Sequence, residues 1–131
     1  MAYILLVEDD EMVRSFVGRA LEIDDHDVTY AEDGLMALDI LEEQEGDFDL
    51  ILSDIRMPGM DGIALAHSAA QNWNEMRILL MTGYADQRER CSELMKIVID
   101  VVEKPFSLQH IRDAVDKALQ IEKDALTSLA S

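Results

Sequence analysis

The sequence predicts an α/β protein built on a parallel sheet, and three observations carry that reading. Short apolar runs of strand length recur along the chain, separated by amphipathic helical patterns, the alternation that produces βα units. The longer runs are near-continuously apolar, as in strands buried on both faces. Several of them stop abruptly at polar residues that could do chemistry, and in open α/β sheets ligands bind outside the carboxyl ends of the strands.

Tyr3 to Val7 is the first strand, and Glu8, Asp9 and Asp10 follow it. Val13, Phe16, Val17, Ala20 and Leu21 fall at the i, i+3, i+4, i+7, i+8 spacing of a core-facing helix. Val28 to Ala31 is a shorter second strand, and Leu35, Leu38 and Leu41 mark a second helix. Phe48, Leu50, Ile51 and Leu52 read as the third strand. It ends at Asp54, and a turn containing Pro58, Gly59 and Gly62 comes next. Asp61 is the expected N-cap of a third helix carrying Ile63, Ala66 and Ala70.

Ile78 to Met81 is the fourth strand, ending in Thr82 and Gly83. Asp86 with Glu89 has the form of a capping box, with Cys91, Leu94 and Met95 on the inner face of a fourth helix. Val98 to Glu103 is the fifth strand, followed by Lys104, Pro105 and Phe106. Ser107 caps a fifth helix with Leu108, Ile111, Val115 and Leu119 inward. The result is five strands and five helices in one domain over 1–123, with a short tail over 124–131.

The 131 residues suffice for one domain and not for two. The single cysteine, Cys91, excludes an internal disulfide and is expected to be a small helix core residue, which points to a reducing cytoplasm. No signal peptide and no apolar run of membrane-spanning length is visible. The formal charge of −17, from 11 basic and 28 acidic residues, argues against direct binding to nucleic acid or to an anionic membrane, since both need clustered Lys and Arg.

Acidic residues, a hydroxyl and an ammonium thus arrive at four strand ends. Any one of them alone is an ordinary solvated strand terminus. If the first and third strands are parallel neighbours, Glu8 and Asp9 face Asp54 across one pocket carrying three negative charges. Like charges so placed raise one another's pKa unless a cation is supplied. A divalent metal supplies two positive charges, and Lys104 completes neutrality.

The set Glu8-Asp9, Asp54 within DIRMPGMDG, Thr82 and Lys104-Pro105-Phe106 resembles the receiver domain of two-component response regulators, in order and spacing, from about Tyr3 to Leu119. The resemblance implies a doubly wound sheet of order 2-1-3-4-5, which periodicity alone does not fix. It implies that Asp54 accepts a phosphoryl group from a histidine kinase or a histidine phosphotransfer protein. Glu8, Asp9, Asp54 and the backbone carbonyl of Arg56 would hold Mg²⁺, and Thr82 and Lys104 would hold the phosphoryl oxygens. Gly83 would leave room for the phosphoryl group to enter, and Pro105 would follow a cis bond. Arg56 and Tyr84 would border the mouth of the site and set phosphoryl lifetime. Arg56 reads equally as a surface cation, whereas Tyr84 reads more readily as a packed surface aromatic. Such a domain is a signalling element and not an enzyme, beyond taking phosphate from small donors and losing it to water.

One departure stands out. Receivers usually place Tyr or Phe three residues before the lysine, as a ring that swings inward on activation, and here that position is Val101. Ile97 and Val98 stand where a Gly-Ala pair is common. Either Tyr84 takes over the ring's part, or the signal passes through Thr82 and the fourth helix.

The whole-chain pattern, especially MTGYADQRER followed by DVVEKPFSL, is similar to the CpdR type of stand-alone receiver, which implies phosphorylation-dependent binding to a protein partner, as in an adaptor for an ATP-dependent protease. The family's usual contact face is formed by the fourth helix, fifth strand and fifth helix. The competing output is a shuttle that passes the phosphoryl group to a histidine phosphotransfer protein. From another class, a Mg²⁺-dependent phosphohydrolase of the haloacid dehalogenase type would need a second aspartate two residues after the nucleophile, where Arg56 stands. A flavodoxin-like carrier would need a Gly/Ser/Thr loop after the first strand, where Glu8, Asp9, Asp10 and Glu11 would repel phosphate. His26, His67 and His110 share no ligand spacing and read as surface residues, Trp73 reads as packing, and the eight methionines are expected mostly in the core.

Overall fold

The computed structural model describes residues 2–83 and 97–121. Five parallel strands form its centre: β1 (Tyr3–Val7), β2 (Asp27–Ala31), β3 (Leu50–Asp54), β4 (Ile78–Thr82) and β5 (Asp100–Glu103). Their order is β2-β1-β3-β4-β5. Four helices are described: α1 (Glu11–Ile23), α2 (Gly34–Glu43), α3 (Gly62–Asn72) and α4 (Leu108–Leu119). The helix expected around Asp86, Glu89, Cys91, Leu94 and Met95 lies outside the described residues, so α4 corresponds to the last of the five expected helices.

Side chains alternate between the two faces of each strand, and the apolar residues divide accordingly. Leu5, Val7, Ile51, Ile78, Leu80 and Val101 pack with α2 and α3 on one face. Ile4, Leu6, Leu50, Leu52, Leu79, Met81 and Val102 pack with α1 and α4 on the other. Every residue of β3 and of β4 is buried, as their continuous apolar runs require. The chain runs from β1 out to β2 and then crosses back past β1 to β3 on its other side, which makes β1/β3 the switch point of the sheet.

Helix entry is set by local hydrogen bonds. Asp61 caps α3 by accepting from Ala64 N at 2.8 Å, and Ser107 caps α4 by accepting from His110 N at 3.0 Å, both as the sequence predicts. Asp10 and Asp33 do the same for α1 and α2. Gly62, the first residue of α3, lies against the Asp54 carbonyl. A Cβ there would collide with the Asp54 carbonyl oxygen and lie 2.9 Å from the Ile55 Cα. Gly62→Ala is therefore expected to cost about 1–3 kcal/mol by overpacking against backbone, measurable as a lower denaturant midpoint.

Some expectations shift. β3 begins at Leu50, although Phe48 is buried beside it; Asp49 is tied to Tyr3 twice, its N–H donating to the Tyr3 carbonyl and its carboxylate accepting from the Tyr3 N–H, each at 2.8 Å. β2 gains Asp27 and β5 is shorter than the apolar run Val98–Glu103. Phe16 and Leu35 are exposed, at 41% and 56%, where helical spacing predicts inward positions. The buried face of α1 is centred on Val17, Gly18, Ala20 and Leu21. Phe16 sits on its flank and stacks on Phe106, with ring centroids 6.3 Å apart. Leu35 stands on the first turn of α2 near Gly59, outside the sheet's cover. Met12 and Met36 are likewise exposed, whereas Met57, Met76 and Met81 are buried. Trp73 packs against the core, and His67 and His110 are exposed, as expected. His26 is half-buried and accepts from Ala2 N.

Candidate functional site

The register of the sheet assembles the site. β1 pairs with β3 so that Val7 lies opposite Ser53, which brings Glu8, the next residue, level with Asp54. β3 pairs with β4 so that Asp54 lies opposite Met81. Thr82 lies opposite Glu103, and the Lys104 N–H donates to the Thr82 carbonyl at 2.7 Å. By alternation Glu8 follows Ile4 and Leu6, Asp54 follows Leu50 and Leu52, and Lys104 follows Val102. Two carboxylates and one ammonium therefore share the α1/α4 face at the carboxyl edge of three strands.

The geometry bears out that arrangement. Glu8, Asp9 and Asp54 each offer a carboxylate oxygen, all within 4.8 Å of one another. Lys104 Nζ lies 2.6 Å from Glu8 Oε1 and 3.4 Å from Asp54 Oδ1. Glu8 is wholly buried and Asp54 nearly so, while Asp9 is exposed at the rim. A cavity of about 620 Å³ opens above them, and its wall includes Arg56, Met57, Pro58 and Gly83. Thr82 is buried directly before Gly83 and is not part of that wall. The Lys104–Pro105 peptide bond is cis. Val101 is buried among Leu80, Val98 and their neighbours. Tyr84 lies outside the described residues.

Several contacts at the site were not anticipated. Arg14 Nη1 donates to the Glu8 carbonyl at 2.8 Å, tying α1 to the end of β1. Glu8 Oε2 accepts from the Asp10 N–H at 3.3 Å, and Asp54 Oδ1 accepts from Ile55 N at 3.0 Å. Ser53 is fully buried and donates to the Asp54 carbonyl at 2.9 Å. Asp10 also carries the α1 cap, a role that the acidic run could have signalled, since an Asp immediately before a periodic helix is an N-cap pattern. Nothing in the sequence marks the pairing of Arg14 with a backbone carbonyl.

The electrostatics follow from burial. Desolvation pushes the Glu8 carboxyl up, to about 7, against the pull of the Lys104 hydrogen bond; the Asp54 charge adds to the rise. Asp54 is raised for the same first reason, with the Lys104 charge opposing. Burial lowers Lys104, but its hydrogen bond to Glu8 and the charge of Asp54 outweigh that and leave it raised and cationic. The pocket is thus a cluster of carboxylates with too little positive charge.

That donor set fits a hard divalent cation, which takes carboxylate and carbonyl oxygens and retains waters. Protons compete with such a cation for Glu8. Glu8 binds a proton in the folded chain up to about 7, so divalent binding is resisted below that value and favoured above it. The rise in Tm on adding Mg²⁺ should accordingly be larger at pH 8 than at pH 6, as read by differential scanning fluorimetry. Equal shifts at both would contradict the assignment of Glu8 to this pocket.

Comparison with known proteins agrees with the geometry. The profile of the response regulator receiver domain matches residues 4–116. The chain is 36% identical over 119 residues to the response regulator receiver protein CpdR of Brucella abortus, covering 91% of this chain and 98% of that protein. It is 32% identical over 123 residues to sporulation initiation phosphotransferase F of Bacillus subtilis, covering 92% and 96%. Among solved structures, the response regulator TrrA of Thermotoga maritima in complex with Mg²⁺-BeF superposes with a TM-score of 0.80 at 28% identity, covering 90% of this chain and 99% of that one.

Proposed function

The chain belongs to the response regulator receiver domain family, and from that premise we propose that it is the phosphoaccepting element of a two-component phosphorelay, with Asp54 as the acceptor. The observation that carries this reading is the position of Asp54: a nearly buried carboxylate at the switch point, beside Glu8 and Asp9 and 3.4 Å from an ammonium.

In the transfer, an Asp54 carboxylate oxygen forms a bond to phosphorus as the N–P bond of a donor phosphohistidine breaks. The bonding pair stays on the imidazole nitrogen, which is then protonated. Phosphoryl transfer is chiefly positioning and charge stabilisation, so the protein has little covalent work to do. Ile55 N and the buried Ser53 hydroxyl fix Asp54 at its side chain and its carbonyl. Lys104 would neutralise negative charge on the phosphoryl oxygens, with Thr82 at the adjacent strand end and Gly83, without a side chain, leaving the entrance open. Glu8, Asp9, Asp54 and the Arg56 carbonyl would hold Mg²⁺, which supplies further neutralisation when bound. Arg56, on the cavity wall, is the residue we assign to control of water access. We assign Tyr84, two residues after Thr82 in the sequence, to the same control.

We assign the receiver to 1–123 and the output to phosphorylation-dependent binding of a protein partner in the cytoplasm, not to nucleic acid or membrane. The charge of −17 supports the last point, and among the described residues no helix is long and apolar enough to cross a membrane. The similarity to CpdR favours a partner-binding switch, with an ATP-dependent protease as the partner class. The similarity to a sporulation phosphotransferase supports the shuttle as second reading. A ligand shifts such a two-state protein only by its differential affinity for the two states, and a few kcal/mol suffices.

The deciding experiment is capture of partners from native lysate with the phosphorylated and unphosphorylated chain, run beside a transfer assay. A protein retained in only one state supports the switch. Rapid and complete loss of the phosphoryl group to a histidine phosphotransfer protein, with no state-dependent partner, supports the shuttle.

A further inference from the structure

A second cavity, of about 340 Å³, lies beside the acidic one and is lined by Met12, Val13, Phe16, Lys104, Pro105 and Phe106. Val13 and Lys104 belong to the walls of both cavities. Lys104 borders the apolar groove, while its ammonium lies 2.6 Å from Glu8 Oε1 and 3.4 Å from Asp54 Oδ1; a long basic side chain can divide itself in this way between apolar and polar surroundings. Two residues later, Phe106 stacks on Phe16 with centroids 6.3 Å apart and planes inclined by 29°, within the range of attractive aromatic pairs. Phe16 is 41% exposed and is not enclosed on all sides, while Phe106 packs partly against the α1/α4 core.

We infer that the Phe16–Phe106 pair reports the position of Lys104, and so serves as the aromatic element that Val101 cannot provide. The inference rests on the reading of Asp54 as acceptor. In the unphosphorylated chain Lys104 is held closer to Glu8, at 2.6 Å, than to Asp54, at 3.4 Å. A phosphoryl group on Asp54 brings about two negative charges and three acceptor oxygens, which draws the ammonium away from Glu8. Lys104 forms part of the groove wall, so the wall changes shape as the side chain moves. Lys104 N is fixed to Thr82 O, and Pro105 has no N–H with which to extend the ladder. Displacement of the side chain therefore reaches Phe106 more directly than it reaches β4. Val101 is small and enclosed by Leu80, Val98 and their neighbours on the opposite face of the sheet, and has no ring to move. Among the described residues, the rings on α1 and before α4 share a cavity wall with the lysine and are not fully enclosed.

The chain has three phenylalanines, Phe16, Phe48 and Phe106, which makes the test direct. Protein labelled with fluorophenylalanine gives three ¹⁹F resonances, assigned with Phe→Leu variants. The reference state contains Mg²⁺ without a phosphodonor, and acetyl phosphate is then added, with loading followed by intact mass. The resonances of Phe16 and Phe106 should move several-fold more than that of Phe48, which is buried and packs on the other face of the sheet. Phe106→Leu should remove the response of Phe16. Loaded protein with stationary Phe16 and Phe106 lines overturns this inference alone, as does a Phe16 shift that persists in Phe106→Leu. A chain that never takes up a phosphoryl group overturns the reading of Asp54 and this inference with it.

Discussion

Replacing Asp54 by Asn should abolish incorporation of phosphate from acetyl phosphate in the presence of Mg²⁺, while the fold is kept. Asn has nearly the same shape and can still accept from Ile55 N, but its amide is no nucleophile toward phosphorus. The stability effect has a definite sign. Asp54 is raised by burial, which means that its charged form is disfavoured in the folded chain at neutral pH. Without Mg²⁺ the neutral amide should stabilise the protein by about 1 kcal/mol, a rise of roughly 3 °C in Tm, because one of three crowded negative charges is gone. Undiminished incorporation in Asp54→Asn would remove Asp54 from the acceptor position.

Lys104→Met should produce the largest stability change, and one that depends on pH. The lysine neutralises a fully buried Glu8 and a nearly buried Asp54. Removing one partner of a buried pair leaves an uncompensated charge, which costs up to 3–5 kcal/mol in dry sites. Because the Lys104 side chain is 22% exposed, the expected loss is nearer to about 2 kcal/mol at pH 8. The sign with pH follows from linkage. Glu8 has a folded pKa above its unfolded value of 4.5, reaching about 7 even with the lysine present, so the folded chain binds more protons than the unfolded one between those values. Stability therefore falls as pH rises through that window, and falls further without the lysine. At pH 5 most of the penalty should be absent, since Glu8 is protonated. Added Mg²⁺ should restore part of the loss at pH 8. Urea melts at both pH values, with and without Mg²⁺, measure all of this. A pH-independent loss would mean that Lys104 acts by packing and not by charge.

The ends of four strands were legible in the sequence because a strand buried on both faces leaves a continuous apolar signal, and the first one or two polar residues after it mark the sheet edge. Glu8, Asp54, Thr82 and Lys104 all stand where those signals stop. The caps at Asp61 and Ser107 were legible because capping is a local hydrogen bond between residues three apart. Phe16 and Leu35 were misplaced because helical spacing marks an apolar stripe without saying where the stripe's edge meets the sheet. Phe16 lies on that edge and is satisfied by Phe106, a partner ninety residues away that no periodicity can indicate. Arg14 on the Glu8 carbonyl and Ser53 on the Asp54 carbonyl escaped for the same reason, since both depend on how a helix or strand end is set against backbone.

The sequence by itself determined the α/β class, the residue types at each strand end, and the absence of an aromatic at Val101, for these are properties of short segments. The tertiary structure decided the rest. Register set Glu8 level with Asp54, and alternation turned Glu8, Asp54 and Lys104 to one face. Burial then raised the carboxylates, and a 2.6 Å ion pair partly offset it. A carboxylate's charge is written in the chain, but its pKa depends on the solvent removed and the charges brought near, and only the folded packing of three strands fixes those distances.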